Sequence, residues 1–195
     1  MIPTLSLTSM ISEWSARIRT PDNPLVDYEV GGIAVGDTST GLAGYDWTAY
    51  FDPDTSNVYL YREDSGIDSK VVLVNRPGIT RVALAFDQNM RPVLAWKDET
   101  GVFLWRYRAS IPGYEAMSIP GALTPCVTLD ERRAEGVSNS DVILSYTKSD
   151  NHLYCRVQRE SYNTERKLTT DPVPDPTLLA CGMTKQCRLQ WRLAP

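Results

Sequence analysis

The sequence predicts an all-β protein: a propeller-like array of about three four-stranded antiparallel units, with a β-sandwich as the alternative. Three observations lead there. From residue 30 onward, short runs rich in Val, Leu, Tyr and Trp alternate with Asn, Asp, Gly and Ser turns, the pattern of strands and hairpins. Thirteen prolines and twelve glycines interrupt the chain too often for long helices. A strand–turn–strand pattern also recurs. It reads Trp47–Phe51 then Val58–Arg62, Val93–Trp96 then Val102–Arg106, and Val142–Tyr146 then Leu153–Val157. The second strands begin at Val58, Val102 and Leu153, a spacing of 44 and then 51 residues. That is the length of a four-stranded propeller blade.

The elements follow in chain order. Residues 1–24 read as an N-terminal arm. Thr8–Arg19 fits a helix only moderately, and Thr20-Pro21-Asp22-Asn23-Pro24 separates the arm from the body. Residues 25–170 are the repeated β body. Each hairpin is preceded by a strand (Gly32–Val35, Val82–Phe86, Cys126–Leu129) and followed by another (Val71–Val74, Glu115–Ile119, Arg166–Thr169). Gly31 and Gly32 open the first strand, where the absence of a side chain permits close backbone approach. Arg76-Pro77-Gly78 and Ile111-Pro112-Gly113 are turns. The polar run Asp130–Ser140 lengthens the third unit. Residues 171–195 begin with Asp171-Pro172-Val173-Pro174-Asp175-Pro176, which cannot donate a normal ladder and reads as a stiff linker. Beyond it, Thr177–Cys181 and Arg188–Leu193 form the start of a fourth sheet, a hairpin that pairs with an N-terminal strand to close the array, or an arm toward another subunit.

Composition narrows the function classes. At 42% hydrophobic residues the chain can bury a core, and at 195 residues it suits one domain or two small ones. A formal net charge of −4 argues against a dedicated nucleic-acid binder. The first residues, Met1-Ile2-Pro3-Thr4-Leu5-Ser6-Leu7, lack the charged leader and apolar run of a signal peptide. No run approaches the ~18 apolar residues that span a bilayer, so no membrane insertion is expected. Synthesis in a cytoplasm follows, with Cys126, Cys155, Cys181 and Cys187 expected as free thiols there. Release from the cell would permit a Cys181–Cys187 staple.

Chemistry-bearing patterns are weak, and no enzymatic activity, cofactor or metal is expected. The single histidine, His152, is read as a surface turn residue. With Cys155 it makes His-x-x-Cys, but a zinc site wants four ligands in paired short spacings. A nucleophile–base pair needs a Ser or Cys oriented beside a histidine, and no Gly-x-Ser-x-Gly elbow is present. The acids Asp52, Asp54, Asp98 and Glu99 sit in turns, where a carboxylate normally bonds its own backbone. Aromatics and arginines remain. Trp47, Trp96, Trp105, Tyr107, Arg106 and Arg156 lie on the repeated strands and are the candidates for an interface or a glycan-facing surface.

The stretch Gly31–Leu42 followed by Trp47-Thr48-Ala49-Tyr50, and the stretch Val82–Trp96, resemble small structural proteins from the tail gene region of tailed bacteriophages. The resemblance spans residues 30 to 168. It implies a virion component of the tail or neck, present in several copies. Its partners would be other virion proteins and copies of itself. A carbohydrate- or receptor-binding β module is the alternative.

Overall fold

The computed structural model describes residues 31–37, 44–62, 69–87, 89, 91–130, 140–173, 178–183 and 189–193. The N-terminal arm, its Thr8–Arg19 segment and most of the Asp130–Ser140 insertion lie outside the described residues.

The described residues are nearly all β, with one short 3-10 turn at Gln158–Glu160, in sheets whose strands follow one another in sequence order. Sheet 1 comprises β1 (Gly31–Asp37), β2 (Gly44–Asp52), β3 (Asn57–Arg62) and β4 (Ser69–Asn75). Sheet 2 comprises β5 (Arg81–Phe86), β6 (Pro92–Asp98), β7 (Gly101–Arg108) and β8 (Gly113–Ile119). Sheet 3 comprises β9 (Ala122–Leu129), β10 (Val142–Lys148), β11 (Leu153–Val157) and the short β12 (Arg166–Lys167). A hairpin of β13 (Leu178–Met183) and β14 (Leu189–Leu193) makes sheet 4. Among the described residues every pairing is antiparallel, and no sheet closes into a barrel. The first strands pack in series, β1 on β5, β5 on β9 and β9 on β13. Sequential four-stranded meanders whose first strands adjoin are the arrangement of propeller blades.

The alternating direction of side chains along each strand explains the layering. On β5, Val82, Leu84 and Phe86 face sheet 1, while Ala83 and Ala85 face sheet 3. On β6, Leu94 and Trp96 face sheet 1, while Val93 and Ala95 face sheet 3. Both strands are therefore covered on both sides and read as unbroken apolar runs rather than as alternating ones. The core between sheets 1 and 2 adds Ala49, Phe51, Val58 and Leu60; the core between sheets 2 and 3 adds Val102, Leu104, Val127, Leu144 and Tyr146. A smaller cluster of Cys126 and Leu153, with Cys181 and Trp191 against it, joins sheet 4 to sheet 3.

The turns carry the chemistry read from the sequence. Asp52 accepts from the Asp54 backbone at 3.0 Å, Asp98 from the Thr100 backbone at 2.8 Å, and Asp150 from the His152 backbone at 3.2 Å. Gly78 takes φ +71°, a left-handed conformation that side chains disfavour, and so completes the Arg76-Pro77-Gly78 turn. The C-terminal hairpin forms the separate fourth sheet that the sequence allowed, rather than an arm extended from the body. It lies on its own body, where the indole N–H of Trp191 donates to Ser145 Oγ at 2.7 Å. Packing that ring and Cys181 against Cys126 and Leu153 favours docking over extension.

Candidate functional site

The last two strands of sheet 2, β7 and the edge strand β8, build an aromatic platform. Alternation along β7 sends Phe103, Trp105 and Tyr107 to one face, and register places Tyr114 of β8 opposite Tyr107. Trp105 and Tyr114, diagonal neighbours across the ladder, stack with centroids 3.9 Å apart and planes 12° apart. Tyr107 meets Tyr114 edge-on at 5.5 Å. The Arg91 guanidinium lies 3.9 Å from the Tyr107 centroid, a cation–π contact. Asp87 holds the Arg91 turn in place. Its Oδ1 accepts from the backbones of Asn89 and Arg91 at 2.8 and 2.9 Å. Burial, with the nearby Asp87 carboxylate, pushes the Tyr114 phenol up. The platform reaches solvent at Tyr114, which is 41% exposed, and the adjoining turn presents Ile111 at 65%.

The six candidates do not share one face. Trp105 and Tyr107 come together in the platform. Arg106, between them in sequence, points the other way. It pairs with Glu115 at 3.1 Å and lies over the Tyr162 ring at 5.3 Å. Trp96 is 2% exposed, stacked on Phe103 at 5.4 Å inside the core between sheets 1 and 2. It presents no contact surface, because its strand is covered on both faces. Arg156 is a mid-strand residue of sheet 3. Its Nε donates to Tyr146 Oη and its Nη1 to the Tyr162 carbonyl, both at 2.9 Å, so it holds a loop rather than a partner. Trp47 lies on β2, with its side chain outside the described residues.

Around Arg156 is a polar network that strand patterning did not reveal. The Tyr146 hydroxyl donates to Glu165 Oε2 at 2.5 Å and Lys148 to Glu165 Oε1 at 2.6 Å. Burial tends to raise the Glu165 carboxyl, but the bonds from Lys148, Tyr146 and Arg156 outweigh it and hold it below the usual range. Burial and the Glu165 bond push the Tyr146 phenol well above its ordinary value. Tyr154 donates to Asp150 at 2.6 Å, which pushes its phenol up to about 12. Both Glu165 oxygens are engaged, so this acid braces the 158–165 loop against sheet 3.

A second cluster centres on Asp98, 3% exposed in the β6–β7 turn. Its Oδ1 accepts from the Thr100 hydroxyl at 2.6 Å and its Oδ2 from Arg76 Nε at 2.7 Å. Arg76 comes from the β4–β5 connection and also lies 4.8 Å from the Phe103 centroid, so it ties sheet 1 to sheet 2.

His152 differs from its expected surface position. It is 7% exposed and its Nδ1 lies 3.1 Å from Thr169 Oγ1, because residues after β12 fold over the start of β11. Cys181 lies beside Cys126, while Cys187 lies outside the described residues. Among the described residues, no three His, Cys, Asp or Glu side chains are grouped to hold a metal ion, and no helix is long and apolar enough to cross a membrane. In comparisons with protein families, curated proteins and solved structures, nothing matches the chain.

Proposed function

We propose that this protein is a non-enzymatic structural subunit that works through protein–protein contacts, as a tail or neck component of a tailed-phage particle. The observation that supports contact-making is the Trp105–Tyr107–Tyr114–Arg91 platform with Ile111 beside it. Trp, Tyr and Arg are the residues that dominate interface hot spots, and rings already stacked on one another lose little freedom on binding. The virion setting rests on the resemblance of residues 31–42 and 82–96.

The test removes the solvent-facing part of the platform. Tyr114→Ala combined with Ile111→Ser is expected to leave the far-ultraviolet circular dichroism unchanged. It is expected to reduce self-association of the purified chain in light scattering and its incorporation into the parent particle by tenfold or more. Unchanged association and incorporation would sink the reading.

The stacked Trp105–Tyr114 pair at a sheet rim also suits a carbohydrate-binding module. Tyr114 already covers one Trp105 face, and Arg91 covers one Tyr107 face. Less free ring face is then left for sugar stacking, and the exposed Ile111 beside the rings favours protein as the partner. Glycan-array binding by the wild type that disappears in the Tyr114→Ala variant would reverse that preference.

A further inference from the structure

We propose that Cys126 and Cys181 form an oxidation site, a thiol pair that a hydroperoxide converts to a disulfide linking sheet 3 to sheet 4. Cys126 lies on β9 and is 8% exposed; Cys181 lies on β13. Their sulfurs are 2.8 Å apart, and both thiols are free. The backbone N–H of Cys181 also points at Cys126 Sγ, at 3.0 Å. The two strands thus already hold the sulfurs in mutual contact, and bond formation needs only a small closure.

The surroundings divide the labour between the two sulfurs. The thiol of Cys181 donates to Cys126, and this bond, against the effect of burial and with help from Arg81, lowers the Cys126 thiol. The Arg81 side chain is anchored by its Nε on the Pro125 carbonyl at 3.1 Å. The same bond, with burial, raises Cys181. Of the two, Cys126 is therefore the more readily ionised and the one that attacks as thiolate, while Cys181 holds its proton more tightly and gives it up in the second step.

The chemistry balances with a hydroperoxide as the oxidant. Cys126 thiolate attacks one peroxide oxygen, the O–O bond breaks, and the departing hydroxide (or alkoxide) takes up a proton. Cys126 is now a sulfenic acid. The Cys181 sulfur attacks it, the S–S bond forms, the S–O bond breaks, and water leaves with the Cys181 proton. Two thiols lose two electrons, and the peroxide is reduced to two waters, or to water and an alcohol. A small oxidant suits a sulfur this buried.

The third described cysteine supplies the control. Cys155 shares the face, since register runs Cys126 to Ser145 to Cys155 across neighbouring strands. Two strand spacings put it roughly 10 Å from Cys126. Burial raises its thiol, so it is neither near enough nor ionised enough to compete.

The full-length chain, reduced and then exposed to one equivalent of hydrogen peroxide, is expected to lose two hydrogen masses. Non-reducing peptide mapping should recover Cys126 joined to Cys181, and Cys155→Ser should give the same product. Cys181→Ser should leave Cys126 as a sulfenic acid that dimedone captures. Amide exchange in β13–β14 should slow at least tenfold in the oxidised wild type. A map that joins Cys181 to Cys187, joins either partner to Cys155, or shows no intramolecular link overturns the proposal. The wild-type map decides this even where a variant fails to fold.

Discussion

Asp98 shows how one turn residue becomes structural. A hairpin aspartate ordinarily bonds its own backbone, as Asp52 and Asp150 do here. Asp98 is also roofed by Arg76 from the preceding connection and reached by the Trp96 indole at 3.4 Å. Burial alone would raise its carboxyl, but the Thr100 and Arg76 bonds more than offset that and hold it below the ordinary carboxylate range. A depressed folded value means that its contribution is present above the unfolded value and fades as pH falls through the folded one. Urea titrations should therefore show wild-type stability falling on the acid side of that range, and falling less in Asp98→Asn. Replacing Asp98 with alanine leaves Arg76 half-buried without its acid and should cost roughly 3 kcal/mol. Tyr146→Phe is the matching test in sheet 3. It strips a donor from Glu165 and an acceptor from Arg156, and should cost roughly 1–3 kcal/mol by chemical denaturation. Neither cluster was legible beforehand. Arg76 and Asp98 are 22 positions apart and Tyr146 and Glu165 are 19, and nothing local relates such pairs.

At the scale of elements, sheet 4 depends most on its surroundings. A two-stranded hairpin is marginal alone in water. Here β13–β14 is held by the Cys126–Leu153 cluster and by Trp191 bonded to Ser145. Trp191→Phe keeps much of the apolar contact but loses that hydrogen bond. It should cost roughly 1 kcal/mol and raise amide exchange in β13–β14 before any other sheet. The three hairpins behind the strand predictions appear as β2–β3, β6–β7 and β10–β11, and the flanking strands as β1, β4, β5, β8, β9 and β12. Alternation and turn residues suffice for these because both act within a few positions. They could not say that the C-terminal hairpin folds back on β9, since contact between residues 55 positions apart is decided by packing.

Across the molecule, sheet 2 is the shared layer. Leu94 faces sheet 1 and Leu104 faces sheet 3, and both are 0% exposed. Truncating either to alanine should cost roughly 2–5 kcal/mol. Because one sheet serves both cores, each variant should unfold in one transition, with tryptophan fluorescence and circular dichroism superimposed. Two separated transitions would show that the cores on its two sides are independent.

By itself the sequence determined the β class, the four-strand unit, its 44- and 51-residue recurrence and the turns, because these follow from alternation and backbone preference over short spans. Tertiary structure alone decided which aromatics are fully enclosed and which, like Trp105, are only partly buried against the core. Trp96 and Trp105 look equivalent in sequence, yet Trp96 sits in a strand with sheets on both sides, while Trp105 lies on β7 beside an outer edge. It also decided that Arg106 and Arg156 brace a loop, that His152 is buried, and that Cys181 meets Cys126. Strand composition specifies a two-sided surface, and only the stacking of sheets says what covers each side.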